Sequence, residues 1–176
     1  MAQTLKNSEL LALNSVLEKY MSVKQGKIAW ALARNKQRVV DALKTYVDLH
    51  SARQKEIGAM LSDGGSLYEY EQARQALCKV HAVKDEKGNP ATSGNTYVIA
   101  DKAAFDSELA DLAAGYVELL EEKVAIEKVI ETAFAESVEF EPYTFSEELA
   151  VNSDIFEARD LLQLAERGII VESEKA

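Results

Sequence analysis

A chain of 176 residues with 47% hydrophobic and 28% charged residues and only two prolines has the composition of a folded globular protein. Its net charge of −10, from 20 basic and 30 acidic residues, argues against general affinity for the nucleic-acid backbone, because most of the surface would repel phosphate. The single cysteine, Cys78, cannot make an internal disulfide. With neither a signal-like leader nor a run near the ~20 apolar residues of a membrane span, the expectation is a soluble cytoplasmic protein folding as one domain over residues 1–176.

Asn7 and Ser8 read as capping residues for a first helix whose apolar face is Leu10, Leu13, Leu17 and Tyr20, with Gly26 as its stop. A longer helix is predicted from about Lys27 to Leu61, its stripe formed by Leu32, Val39, Leu43, Tyr46, Leu49, Ile57 and Met60. Two helices joined by a short turn are expected to pack antiparallel. After the turn Ser62 to Ser66, the pair Ser66 and Glu69 has the form of a capping box opening a third helix that reaches Val80.

Residues 83–100 read as an exposed hairpin or loop: Gly88, Pro90 and Gly94 break it, and Thr96, Tyr97, Val98 and Ile99 are β-prone. Asp101 is placed to cap a fourth helix through Phe105, Leu109, Leu112 and Tyr116. The stretch 117–134 reads as helix, against a strand alternative around Val124 and Ile126. Val138 and Phe140 alternate with glutamates before Pro142, which suits a short edge strand near 138–141. Asn152 or Ser153 is expected to cap a final helix ended by Gly168. The fold class predicted is mainly α, an antiparallel bundle of long helices with a small β-hairpin or short-strand element.

Familiar catalytic signatures are missing from the sequence. His50 and His81 do not form HExxH, and there is no GxxxxGK[ST], GxGxxG or GxSxG. Cys78 and His81 share a helix face three residues apart, half of a zinc site without a second pair, so a structural or surface role is expected and no metal or cofactor is assigned. Adjacent acidic residues such as Glu121 and Glu122 diverge around a helix and read as a solvated face. The reading is therefore not an enzyme.

One segment departs from the acidity. Between Lys24 and Lys44, the cations Lys24, Lys27, Arg34, Lys36, Arg38 and Lys44 face Asp41 alone. Lys27, Arg34 and Arg38 fall near one helical face, and Trp30 stands one turn before Arg34, where a guanidinium can lie over its ring. Lys27, Trp30, Arg34 and Arg38 form the candidate ligand-binding set, for an anion. The competing reading places Trp30 in the core and pairs the cations with acidic neighbours on adjacent helices.

The order NSELLALNSVLEKY with KIAWALARNKQRVVDALK, then KDEKGN through NTYVIADKAAFDSELADL, then NSDIFEARDLLQLAERGI, resembles a family of small uncharacterised bacteriophage and prophage proteins of Gram-positive hosts. The resemblance implies expression in an infected bacterium and brings no functional residues with it. The expected function is a non-enzymatic, phage-encoded interaction protein that binds a host or phage macromolecule and counteracts host defence. The alternatives are a sponge for a phosphate-bearing nucleotide signal of bacterial immunity, or a virion-assembly chaperone or structural component. Expected partners are a host or phage protein or a nucleotide ligand, with self-association allowed and no membrane.

Overall fold

A computed structural model describes residues 2–172. The chain is mainly helical, with seven helices and short strand pairs among these residues. In chain order they are β1 Gln3–Lys6, α1 Asn7–Lys19, α2 Gly26–Leu61, α3 Tyr68–His81, β2 Thr92–Ser93, β3 Thr96–Tyr97, α4 Lys102–Ala114, α5 Val117–Ala135, β4 Ser137–Phe140, β5 Phe145–Ser146, α6 Glu147–Val151, α7 Ala158–Glu166 and β6 Ile170–Val171. Backbone contacts divide the chain into two compact units, Met1–His50 with Ile130–Ala176, and Ser51–Val129. The helices α2 and α5 each contribute residues to both.

The first unit holds the larger core. Leu10, Leu13 and Leu17 of α1 join Ile28, Leu32, Val39 and Leu43 of α2, Phe140, Phe145, Leu164 and Ile169 in one buried cluster. The spacing of three and four along α1 and α2 is the cause: it places these side chains on one face of each helix. β1 pairs antiparallel with β4, Leu5 opposite Val138, and β5 pairs parallel with β6. The short strand expected near 138–141 is β4, and Pro142, just after it, is buried.

Several helix ends differ from expectation. α1 is capped at Lys6, whose backbone N–H donates to Glu9 Oε2 at 2.8 Å. Asn7 is instead drawn inward, its Nδ2 donating to the Ala133 carbonyl at 2.8 Å and its backbone N–H to that of Glu136, also at 2.8 Å. Gly26 begins α2, because α1 has already ended at Tyr20. The expected final helix is two: Ser146 caps α6 by accepting from Leu149 N, Asn152 closes α6, and α7 starts after Glu157. Asp154, with φ of 55°, lies in the turn between them. Gly168 ends α7 as expected. At φ of 63° it sends its N–H to the Ala165 carbonyl, while Ile169 sends its own to Leu164, the paired bonds of a Schellman ending with both apolar residues buried.

In the second unit α3 and α4 run antiparallel, which the ring contacts Tyr70 with Tyr116 and His81 with Phe105 establish at their two ends. The hairpin β2–β3 connects them, supported by the bridges Ala82 to Ile99 and Lys84 to Pro90. Asp101 caps α4 through the Ala104 N–H, as its position predicts. Ser66 does not cap α3. The helix opens after Leu67, which is fully buried and donates its N–H to the Met60 carbonyl at 2.7 Å. Gly65 permits that return: a Cβ there would lie 2.1 Å from the Ala59 carbonyl oxygen. Residues 117–135 are helical, separated from α4 by Gly115 and Tyr116.

Candidate functional site

The first half of α2 presents two faces with different chemistry. Ile28, Ala31, Leu32, Asn35 and Val39 are buried, and this fixes the rotation of the helix. Lys27, Trp30, Arg34 and Arg38 consequently share a neighbouring face. Trp30 is 58% exposed, so the reading that assigns it to the core does not hold. The guanidinium carbon of Arg34 lies 5.6 Å from the Trp30 ring centroid, within cation–π range.

The cations divide by partner. Lys36 pairs with Glu18 and Arg38 donates to the Glu141 carbonyl at 2.5 Å, so these two serve the fold. Lys24, Lys27, Arg34 and Lys44 make no ion pair among the described residues. Of the four expected ligand-binding residues, the structure thus joins Trp30 with Arg34, leaves Lys27 exposed one turn away, and turns Arg38 toward the backbone after β4. The face can stack against a flat or apolar group while holding a negative charge beside it.

Cys78 and His81 lie one turn apart on α3, the His81 Nε2 3.2 Å from Glu108 Oε2 and its ring against Phe105. Among the described residues no three His, Cys, Asp or Glu side chains are grouped to hold a metal ion. No described helix is long and apolar enough to cross a membrane.

A second feature was not read from the sequence. Neither α3 nor α4 has a buried side chain, and the core of the second unit is limited to residues such as Ile57, Met60, Leu67, Ala82 and Ile126. An open apolar depression of about 660 Å3 follows the α4–α5 elbow, lined in part by Ala113, Val117, Leu120, Glu121, Val124 and Lys128. The signal was the spacing of alanine, valine and leucine at 110, 113, 117, 120 and 124.

Comparison with known proteins adds no assignment: no protein-family model, curated protein or solved structure matches the chain.

Proposed function

We propose that the chain is a non-enzymatic interaction protein, phage-encoded and acting in the host bacterial cytoplasm, which binds a host or phage macromolecule through the Trp30 face of α2. The observation that carries this reading is the exposed Trp30 with Arg34 over its ring. Tryptophan and arginine dominate binding hot spots, because each offers a large contact area together with a polar or charged group. The unpaired Lys24, Lys27 and Lys44 give the partner a sign: an acidic surface, engaged by the one positively biased stretch of a chain of net charge −10.

The test is retention of a partner from bacterial lysate by the tagged protein. Trp30→Ala and Arg34→Glu should each abolish retention while leaving the melting temperature nearly unchanged, since exposed groups contribute little to stability. Equal retention by the parent and both variants rejects this face as the binding surface.

The second reading, a sponge for a phosphate-bearing nucleotide, draws on the same stacked pair, with Trp30 for a base and Lys27 and Arg34 for phosphate. Arg38 is already bonded to Glu141 O, leaving fewer cations for that task. A nucleotide at a hundredfold excess over Kd should stabilise the protein by about 2.7 kcal/mol. No rise in melting temperature with nucleotides sets the sponge aside.

A further inference from the structure

Within the second unit lies a cavity whose charged lining is positive on balance, in a chain of net charge −10. It holds about 520 Å3 and is half open to solvent. Three helices converge on it. Leu61 ends α2; Leu67, Tyr70, Glu71 and Arg74 follow at helical spacing along one face at the start of α3; Leu120 and Lys123 come from α5. Leu67 is fully buried, and the Tyr70 ring rests against Tyr116 with centroids 5.4 Å apart, so the apolar part of the lining is fixed. The charged groups hold one another in place. Arg74 donates from Nε to Glu71 Oε2 at 2.8 Å and from Nη2 to Oε1 at 2.7 Å, and Gln75 donates to Oε1 at 3.0 Å. The Arg74 hydrogen bond holds the Glu71 carboxyl below its usual range; burial opposes this, and the charge of Lys123 adds to the lowering. Arg74 Nη1 takes no part in these bonds, and Lys123 gives one of its three N–H groups to Glu127 at 2.5 Å. Both cations therefore keep unused donors, on side chains only 39% and 25% exposed.

We propose that this cavity binds a small amphipathic carboxylate, its apolar body against Leu61, Leu67, Leu120 and the Tyr70 ring and its acid group between Arg74 and Lys123. Charge selects the class. A cationic ligand would meet two like charges, and the one carboxylate in the lining, Glu71, is already bonded to Arg74 and Gln75. A neutral apolar ligand would draw the donors of Arg74 and Lys123 away from water and give them no acceptor. A carboxylate accepts from both through charge-assisted hydrogen bonds, the stronger kind. The volume falls within the ~300–1,000 Å3 of small-molecule sites, which likewise join an apolar lining to a few polar groups. The Trp30 face takes no part, so this site stands or falls independently of the proposed function.

Decanoate, decanol and decylammonium share one apolar chain and differ in the charge of the head group, which makes them the probes. The full chain, isotope-labelled at its leucine methyl groups, is titrated with each while the methyl resonances are followed. Decanoate should move the signals of Leu61, Leu67 and Leu120 with a Kd below ~1 mM, and the other two probes should bind at least roughly tenfold more weakly. Lys123→Gln should weaken decanoate at least roughly tenfold and leave decanol unchanged, a split that a merely structural role for the lysine would not produce. Leu120→Trp, which fills the cavity, should abolish the response. No movement of the Leu61, Leu67 and Leu120 signals up to ~5 mM decanoate overturns the proposal, as do shifts confined to leucines elsewhere. Equal affinity of the parent chain for the three probes overturns it as well, whether or not either variant folds.

Discussion

The hydroxyl of Tyr20 donates a 2.6 Å hydrogen bond to Oδ2 of Asp160, a carboxylate only 2% exposed. The same hydroxyl accepts the backbone N–H of Glu157 at 3.2 Å, and Lys19 Nζ reaches Asp160 Oδ2 at 3.1 Å. A residue from the end of α1 thereby fastens the first turn of α7. The Tyr20 hydrogen bond holds the Asp160 carboxyl below its usual range; burial opposes this, and Lys19 adds to the lowering. Burial, with the carboxylate beside it, raises the Tyr20 phenol in turn.

A depressed carboxyl pKa contributes stability above the unfolded value of about 3.9, and that contribution is lost as pH falls through the folded value. Tyr20→Phe should cost on the order of 1.5–3 kcal/mol at neutral pH, because a buried carboxylate loses a donor. It should also move the acid unfolding midpoint upward. Asp160→Asn should flatten the acid dependence of stability relative to the parent. Urea unfolding at pH values from about 3 to 7 measures both effects. A parallel loss at every pH in Tyr20→Phe would show that the hydroxyl does not act through the carboxylate.

Asn35 replaces a stretch of backbone. Its Oδ1 accepts from Tyr143 N at 2.8 Å and its Nδ2 donates to Tyr143 O at 2.7 Å and to Ala31 O at 2.9 Å. Asn35→Ala should cost roughly 1–3 kcal/mol by removing the partners of both Tyr143 groups. Asn35→Asp should cost more, since it sets a carboxylate against two carbonyl oxygens in a site with no exposure. The denaturant midpoints of the two variants check this order. Equal midpoints would mean that the Tyr143 segment finds water in place of the amide.

Along α2, Leu43 and Lys36 separate core from surface. Leu43 is 3% exposed, and Leu43→Ala should cost on the order of 2–5 kcal/mol through lost burial and the cavity left behind. Lys36 pairs with Glu18, a mostly exposed carboxylate, so Lys36→Ala should cost within about 1 kcal/mol. Thermal unfolding of both variants distinguishes the registers. A small effect at Leu43 would mean that the helix is rotated from the position described.

The turn of the hairpin is organised by Asp85, whose Oδ1 accepts from Lys87 N at 2.9 Å and Asn89 N at 2.8 Å. These backbone donors, Asn89 foremost, lower its pKa. Residues 84–89 are all exposed, so limited proteolysis should cut first between Lys84 and Asn89, and Asp85→Ala should hasten the cut by loosening the turn. Mass spectrometry of the first fragments identifies the site. Initial cleavage inside α2 would contradict this organisation.

The apolar period of α1 and α2 was legible in the sequence because burial on one face of a helix leaves a local trace at every third or fourth residue. Asp101 was legible for a similar reason, since a cap acts within its own first turn. Asn7, Asn35 and Asp160 were not: their partners lie 126, 108 and 140 residues away, and a polar side chain carries no mark of a distant acceptor. β1 was missed because four residues pair with a strand much later in the chain. At the candidate site, the composition around Trp30 was readable, but the division of its cations was not. Lys36 and Arg38 find Glu18 and the Glu141 carbonyl only once the fold exists.

The division of the chain also orders its birth. The first unit is interrupted in sequence by residues 51–129, so the leucines of α1 and the first half of α2 leave the ribosome well before Phe140, Phe145, Leu164 and Ile169 exist to cover them. At ~5–20 residues per second the wait from Leu43 to Phe140 is roughly 5–19 s, long against the ~1–10 µs in which a hairpin forms. The second unit, continuous in sequence, is complete first. The early half of the larger core therefore stays open until translation nears its end.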